Sequence, residues 1–188
     1  MVPDPGTCKK PTVLIMASHY QPYPEQVYQR GFRAIVSSIH RNSQSPLSRI
    51  KSTNYLESIL AKHEARKAEV DEALFLNEKG LLAEASMSNI FLVNNGTLRT
   101  PGEENGILPG ITREVVLELA ASLGIKSMEQ KIALKELTQA DEAFFTNSLM
   151  EIMPLTQLSG QKIGTGEAGA VTQRLAAAYQ ELVKLLRG

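Results

Sequence analysis

The chain has 188 residues, of which 43% are hydrophobic and 21% are charged, and its 20 basic side chains balance its 20 acidic ones. This is the composition of a globular protein with room for one full domain, or for one domain with a smaller appendage. The balanced charge gives no electrostatic reason to bind nucleic acid or an anionic membrane, and we expect neither as a partner.

No apolar run approaches the roughly 20 residues that a membrane-spanning helix requires, and the first residues lack the long apolar core of a secretory signal. Cys8 is the one cysteine, so an internal disulfide is impossible. The three histidines are scattered and have no cysteine neighbours, which is not the spacing of metal ligands. A soluble protein of the cytoplasm, without a metal, is therefore expected.

The first third of the chain predicts two strands and a helix. Residues 12–17, TVLIMA, form a short apolar run typical of a buried strand. Residues 31–40 predict a second strand, with Phe32, Ala34, Val36 and Ser38 on one face. After a loop rich in turn-forming residues the period becomes helical, and the apolar stripe of that helix comprises Tyr55, Leu56, Ile59, Leu60 and His63.

The rest of the chain alternates between strand and helix patterns. Residues 71–77 predict a strand, and residues 88–101 predict a hairpin in which Asn95 and Gly96 supply the positive φ angles of a type I′ turn. Residues 108–125 predict a loop followed by a helix, with Thr112 as its N-cap.

Residues 134–148 predict a short helix followed by a strand, and residues 153–164 predict a second hairpin around Ser159 and Gly160. The chain ends in an amphipathic pattern whose inward positions are Val171, Leu175, Ala178, Leu182 and Leu185. Strands mixed with about four helices predict an α/β or α+β domain, and the hairpins argue against a purely doubly wound sheet.

Two charged residues stand where chemistry could occur. Lys51 lies between a turn and the start of the predicted helix, and by itself it is either a solvated charge or a nucleophilic amine. Glu84 interrupts a stretch of apolar and small residues, LLAEASMSNIF. A carboxylate there either faces water or, if buried, needs a partner such as a cationic ring nitrogen.

Two further stretches could bind phosphate. In GILPGITRE, the residues Ile111, Thr112 and Arg113 would present free amides at a helix N-terminus, which suits an anion, although a simple turn and cap explains the pattern equally well. In FFTNSLMEIMP, the polar residues Thr146, Asn147 and Ser148 could complete such a site. An amine, an acid and a phosphate site together are what pyridoxal phosphate requires.

Four stretches, in this order, resemble the class IV aminotransferases, which are pyridoxal-phosphate enzymes of fold type IV: IKSTNYL, LAEASMSNIFLV, ILPGITRE and FFTNSLMEIMP. The group includes branched-chain and D-amino acid aminotransferases and 4-amino-4-deoxychorismate lyase. The resemblance runs from about Ser45 to the end of the chain. It implies a mixed-sheet pseudo-barrel with flanking helices for residues 46–188, the cofactor-binding large domain, and a remnant of a small N-terminal domain for residues 1–45.

By this resemblance, Lys51 is the catalytic lysine that forms a Schiff base with the cofactor. Glu84 pairs with the pyridine nitrogen and keeps it protonated. Leu108 packs on the face of the ring, while Ser88 and Asn89 lie in the strand beside it.

The resemblance also assigns the phosphate ligands. Ile111 and Thr112 bind the phosphate through their backbone amides, and the Thr112 hydroxyl adds a contact. Ser148 supplies another hydroxyl. Arg113, like Asn89, is expected to support the structure around the site.

The implied function is transfer of an amino group between a small amino acid and a 2-oxo acid, by a homodimer. The alternative within the family is aminodeoxychorismate lyase, which eliminates pyruvate to give 4-aminobenzoate. Leu149 and Met150 favour the lyase, because they replace the small residues with which transaminases hold a substrate carboxylate.

The resemblance is incomplete before Lys51. Family members carry a longer N-terminal domain that supplies a phosphate-binding arginine, a tyrosine near the lysine and part of the substrate pocket. Arg30, Arg33 and Arg41 are present here, but none has a context that matches the missing arginine. A third interpretation is therefore a truncated domain that has the fold but is catalytically weak or inactive.

Overall fold

The computed structural model describes residues 4–187, and these contain nine strands and five α-helices together with short 3-10 turns. The strands are β1 (Phe32–Arg41), β2 (Glu72–Asn77), β3 (Leu82–Ala85), β4 (Asn89–Asn94), β5 (Thr97–Pro101), β6 (Ser127–Gln130), β7 (Glu142–Asn147), β8 (Glu151–Leu158) and β9 (Gln161–Lys162). The helices are α1 (Glu25–Arg30), α2 (Leu56–Lys67), α3 (Ile111–Ser122), α4 (Leu134–Thr138) and α5 (Ala170–Arg187).

The strands form one mixed sheet in the order β3-β2-β1-β8-β7-β4-β5-β6, with β9 paired to β8. β1 is parallel to both β2 and β8, and β5 is parallel to β6, whereas the hairpins are antiparallel. The two ends of the sheet meet, because the Leu82 N–H donates to the Ile132 carbonyl at 2.8 Å. The predicted α/β (α+β) pseudo-barrel with flanking helices is therefore confirmed.

The largest apolar cluster lies inside the curled sheet and includes Phe32, Leu74, Ile90 and Phe145, each at most 2% exposed. A second cluster packs α3 and α5 against the outer face of the sheet. A third packs α2 against β2 through Ala61 and Ala65. The removal of these apolar side chains from water is the main stabilising contribution to the domain.

Both predicted hairpins are confirmed, together with the turn residues that make them. Asn95 has φ 48° and Gly96 has φ 72°, as a type I′ turn requires. Ser159 and Gly160 adopt the same left-handed region between β8 and β9.

The apolar run at residues 12–17 does not form the buried strand that its pattern predicts. Its four large side chains, Val13, Leu14, Ile15 and Met16, are 77–89% exposed and the segment has no strand pairing. A strand needs a neighbour to satisfy its backbone, and among residues 4–187 none lies alongside this run.

The predicted apolar stripe of α2 faces solvent. Leu56, Ile59 and Leu60 are 63%, 61% and 46% exposed, and His63 is also exposed, whereas the small residues of the opposite face are buried. α2 approaches the sheet closely through Ala61 and Ala65, which leaves no room for the long side chains on that side.

Three smaller predictions also fail. Gly110, rather than Thr112, is the N-cap of α3, since the first helical bond runs from the Glu114 N–H to the Gly110 carbonyl. Leu185 is 80% exposed because α5 extends beyond the surface it packs on. Ser38 is exposed while Ser37 is buried, because an irregularity in the β1–β2 pairing after Val36 reverses the alternation of faces.

β1 lies within the first predicted domain, residues 1–45, but pairs with β2 and β8 of the second. The division at residue 45 stays a prediction. Within the described part of the chain, no helix is both long and apolar enough to cross a membrane. The same residues contain no group of His, Cys, Asp or Glu side chains suited to hold a metal ion.

Candidate active site

A cavity of about 450 Å³ opens where four segments meet: the loop before α2, the β3–β4 connection, the start of α3 and the end of β7. The cavity is lined by every residue that the sequence predicted for the site, namely Lys51, Glu84, Ser88, Asn89, Leu108, Ile111, Thr112 and Ser148. Residues separated by up to 97 positions along the chain (148 − 51) thus share one cavity.

Lys51 lies in the exposed loop that precedes α2. Its Nζ donates a hydrogen bond to the hydroxyl of Tyr55 at 2.9 Å, and the ammonium lies 5.4 Å from the centre of the Tyr55 ring. Tyr55 is the N-cap residue of α2, so the start of this helix holds the amine at the mouth of the cavity.

Glu84 lies on β3 and is 6% exposed, so of the two alternatives, a carboxylate that faces water and a buried one, the structure has the buried one. Its Oε1 is 3.3 Å from Arg41 Nη2, and its Oε2 accepts a hydrogen bond from the Leu108 N–H at 3.0 Å. Burial raises the pKa of Glu84 to about 7, against the opposing effects of Leu108 and Arg41. This carboxyl group can therefore exchange a proton near neutral pH.

The loop before α3 is held at the backbone of Leu108 from two sides. Glu84 accepts the Leu108 N–H, and Asn89 Nδ2 donates to the Leu108 carbonyl at 2.8 Å. A Cβ at Gly110 would collide with Asn89 Oδ1, so only glycine permits this close approach of β4 and the loop.

α3 begins directly at the cavity. The N–H groups of Ile111, Thr112 and Arg113 precede the first helical bond, which Glu114 donates to the Gly110 carbonyl at 3.0 Å. Free amides and the helix dipole favour an anion at such a terminus. The Ile111 side chain is 75% exposed, whereas Thr112 is buried, and Arg113 is directed away to Glu129 and the Pro101 carbonyl.

Two buried hydroxyl groups in the cavity wall have no hydrogen-bond partner among the described residues: Ser88 Oγ and Thr146 Oγ1. An unpaired buried hydroxyl lowers the stability of the folded chain by about 1–3 kcal/mol. A polar ligand bound in the cavity would supply the missing partners, so these groups indicate a binding site. Ser148 lies at the rim and is exposed.

Asn147 ties two walls of the cavity together. Its Oδ1 accepts the N–H groups of Leu149 and Met150 at 2.9 and 2.8 Å, and its Nδ2 donates to the Met87 carbonyl at 3.1 Å. The turn that carries Ser148 is thereby fixed to the β3–β4 connection.

The site residues predicted from the sequence do not include three cavity residues that contribute to the site. Thr146 was recognised only as one of several polar residues, and Tyr55 was assigned to an apolar stripe although its spacing from Lys51 was a usable signal. Arg41 had no signal, because the pairing of β1 with β2 brings it to Glu84 from a distant part of the sequence.

The sequence profile of the amino-transferase class IV family matches residues 3–158. The branched-chain-amino-acid aminotransferase of Pseudomonas aeruginosa is 41% identical over 161 residues, which cover 85% of this chain and 52% of that protein. The aminodeoxychorismate lyase of Bacillus subtilis is 34% identical over 178 residues, which cover 95% of this chain and 59% of that protein.

Solved structures similar to this chain include members of the same family. The branched-chain amino acid aminotransferase of Escherichia coli superposes with a TM-score of 0.81 at 35% identity, over 83% of this chain and 53% of that one. The enzyme of the same name from Thermobaculum terrenum, solved in its PLP form, gives a TM-score of 0.81 at 36% identity, over 86% and 54% of the two chains.

The chain spans about half the length of these relatives. Within that span, the matched residues include all four stretches that surround the cavity. The chain belongs to the amino-transferase class IV family.

Proposed function

We propose that the cavity binds pyridoxal 5′-phosphate and that the chain carries the cofactor-binding part of a class IV aminotransferase, which moves an amino group between a small amino acid and a 2-oxo acid. The residues present fit this cofactor. Glu84 offers a buried carboxylate for a ring nitrogen, and the start of α3 and the unpaired hydroxyl of Thr146 offer donors for a phosphate. The unpaired hydroxyl of Ser88 offers a further polar contact beside the ring. Lys51 offers the amine.

In this proposal Lys51 anchors the cofactor, Glu84 binds its ring nitrogen and Leu108 packs on its ring, with Ser88 and Asn89 beside it. Phosphate binding is assigned to Ile111, Thr112 and Ser148, and the unpaired hydroxyl of Thr146 adds a further donor. When bound, the cofactor supplies an aldehyde that amines attack and a ring that accepts electrons from the substrate.

Lys51 acts twice in the proposed reaction. Its Nζ is the nucleophile that holds the cofactor, and it is later the base that moves a proton at the substrate Cα. Both roles depend on position, which the Tyr55 hydroxyl helps to define. Glu84 contributes a carboxylate that is itself largely shielded from water.

The observation that carries the proposal is the convergence of Lys51, Glu84 and the two unpaired hydroxyls on one cavity. The test is titration of the purified chain with pyridoxal phosphate, followed by near-visible absorption. We expect a saturable new band that Lys51→Ala abolishes. A folded wild-type chain without such a band would overturn the proposal and favour the inactive-domain interpretation.

One observation favours aminodeoxychorismate lyase as a second candidate. The N–H groups of Leu149 and Met150 are both occupied by Asn147 Oδ1, so neither is free to hold a substrate carboxylate. An amino-transfer assay with small amino acids, run beside a pyruvate-release assay with aminodeoxychorismate, separates the two reactions.

We also propose a homodimer located in the cytoplasm. The outward apolar stripe of α2, made of Leu56, Ile59 and Leu60, gives a surface that a second copy could cover. Cys8 is a free, exposed thiol, which suits a reducing compartment. Sedimentation analysis of the wild type and of a variant with Ile59→Glu tests the dimer, because a charge in this stripe should shift the population to monomer.

A further inference from the structure

The Arg41 side chain, at the end of β1, is 15% exposed and contacts two separate parts of the site. Its Nη2 is 3.3 Å from Glu84 Oε1 and 3.2 Å from Ser58 Oγ, while its Nη1 is 2.8 Å from Glu57 Oε2. The guanidinium also lies over the ring of Phe75, 4.4 Å from its centre. Few side chains can satisfy this set of partners at once.

Glu57 and Ser58 belong to the first turn of α2, and this turn directly follows Tyr55, the partner of Lys51. One guanidinium therefore connects the buried carboxylate on β3 with the helix start that positions the amine. An arginine suits this place because its planar group donates in two directions, whereas a lysine presents a single point charge.

We propose that Arg41 is a positioning residue, which orients the Glu84 carboxylate and fixes it relative to the start of α2 and hence to Lys51. The inference rests on the proposed function in that Glu84 is taken to bind the ring nitrogen. Arg41 acts only through Glu84 and the helix start.

The electrostatic surroundings support this role. Two cations face Glu84, namely Arg41 from β1 and Lys51 from the loop before α2, and Leu108 adds its N–H from the loop before α3. Glu57, the other carboxylate that contacts Arg41, has a side chain that is 53% exposed. Since burial is the largest influence on Glu84 and favours its neutral form, loss of Arg41 should protonate it at neutral pH.

The first experiment needs no cofactor. The chain is labelled with glutamate that carries ¹³C in the side-chain carboxyl group, and the Glu84 signal, identified by its loss in Glu84→Gln, is titrated by NMR. An opposite charge at this distance lowers a carboxyl pKa by roughly 1–3, so in Arg41→Gln the midpoint should rise by about one pH unit or more. An unchanged midpoint would overturn the proposal. Arg33→Gln, an exposed arginine of the same strand, is the matched control and should have no effect.

The second experiment measures the affinity for pyridoxal phosphate in a double-mutant cycle. Arg41→Gln should weaken binding about tenfold in the wild-type background and clearly less in Glu84→Gln, where only its contacts with the start of α2 remain to be lost. Equal effects in both backgrounds would show a merely structural role and overturn the proposal.

Two further outcomes are covered by additional variants and comparisons: an Arg41 variant that does not fold, and a chain that does not bind the cofactor. If Arg41→Gln does not fold, as judged by circular dichroism, Arg41→Met, which is also uncharged, replaces it in both experiments with the same expected results. Arg41→Lys is a further comparison: it retains the charge but cannot reach Glu57 and Glu84 together, so it should keep the Glu84 midpoint near that of the wild type and still weaken binding. If no variant, wild type included, binds pyridoxal phosphate, the proposed function fails, whereas the NMR titration still decides the role of Arg41.

Discussion

Lys51 Nζ and the hydroxyl of Tyr55 lie 2.9 Å apart, on the two sides of the bend by which the chain enters α2. The contact gives the loop amine a defined position although its side chain is exposed. A nucleophile must be held near its target to react efficiently, and among the described residues this hydroxyl is the hydrogen-bond partner of the amine.

Replacement of Tyr55 by phenylalanine tests the value of this contact. A single hydrogen bond is worth about 0.5–1.5 kcal/mol, so Tyr55→Phe should slow labelling of Lys51 by pyridoxal phosphate roughly two- to tenfold. The fold should persist, since the ring remains and is 36% exposed. Rates are followed by borohydride quenching at fixed cofactor concentration. Tyr23→Phe, at a tyrosine 44% exposed outside this cavity, is the control, and equal rates in the two variants would contradict the prediction.

Because the Thr146 hydroxyl is unpaired, its removal should have opposite effects on the stability of the unliganded chain and on cofactor binding. Thr146→Val removes a buried group without a partner, so the unfolding free energy of the unliganded chain should rise by about 1 kcal/mol. Affinity for pyridoxal phosphate should fall at least about tenfold, while affinity for pyridoxal, which lacks the phosphate, should not change. Chemical denaturation and cofactor titration measure the two quantities.

Thr100→Val is the matched control for Thr146, because the Thr100 hydroxyl is equally buried but donates to the Ile90 carbonyl at 2.7 Å. This variant should lose about 1 kcal/mol of stability. If both threonine variants are destabilised alike, Thr146 has a partner in solution and the phosphate assignment loses its support.

Substitution of Gly110 tests whether β4 and the loop before α3 approach each other as closely as the structure shows. Its φ of −82° is accessible to alanine, so any penalty in Gly110→Ala comes from the collision with Asn89 Oδ1 and should be about 1–3 kcal/mol. Asn89→Ala alone should also destabilise, because it leaves the Leu108 carbonyl unpaired. The double variant should cost clearly less than the sum, as measured by urea unfolding, and strict additivity would argue against the contact.

Because the pKa of Glu84 is raised in the folded chain, the unfolding free energy should depend on pH in a direction that can be stated in advance. Its pKa in the folded chain is about 7, above the value of 4.5 for an unperturbed glutamate, so the folded state binds more protons between these values. Unfolding free energy should therefore decrease as the pH rises from about 5 to 8, by up to about 3 kcal/mol. Glu84→Gln should remove this slope, and urea unfolding across the range measures it.

The carboxyl groups whose pKa values are lowered do not obscure this window. Glu64, Glu78 and Glu136 have lowered pKa values, through hydrogen bonds from Ser38, Ser43 and the Ala133 amide as their respective largest causes. Their stabilising effect is complete above the pKa of the unfolded chain and is lost only in acid. A slope between pH 5 and 8 that persists in Glu84→Gln would contradict the assignment.

The elements that sequence reasoning predicted well are those defined by local chemistry. Asn95 and Gly96 determine a hairpin because few other residues adopt the φ angles of its turn. The eight predicted site residues likewise share one cavity, since a resemblance in four separate stretches carries spatial information that periodicity lacks.

The predictions that fail concern positions where tertiary packing, rather than the local sequence pattern, determines the structure. In α2 the long apolar residues such as Leu56 and Ile59 indicated the wrong face, because the helix packs through Ala61 and Ala65. The contact of Arg41 with Glu84 could not be predicted from the sequence, since only the assembled sheet brings the two side chains together.

The most direct test of the central claim is reductive trapping. The chain is incubated with pyridoxal phosphate, reduced with borohydride and digested, and the modified peptides are identified by mass spectrometry. We expect one dominant label, on Lys51. Added substrate amines should reduce its formation, and it should disappear in Lys51→Ala. Labelling spread over surface lysines, or unchanged in Lys51→Ala, would contradict the assignment of Lys51 as the catalytic amine.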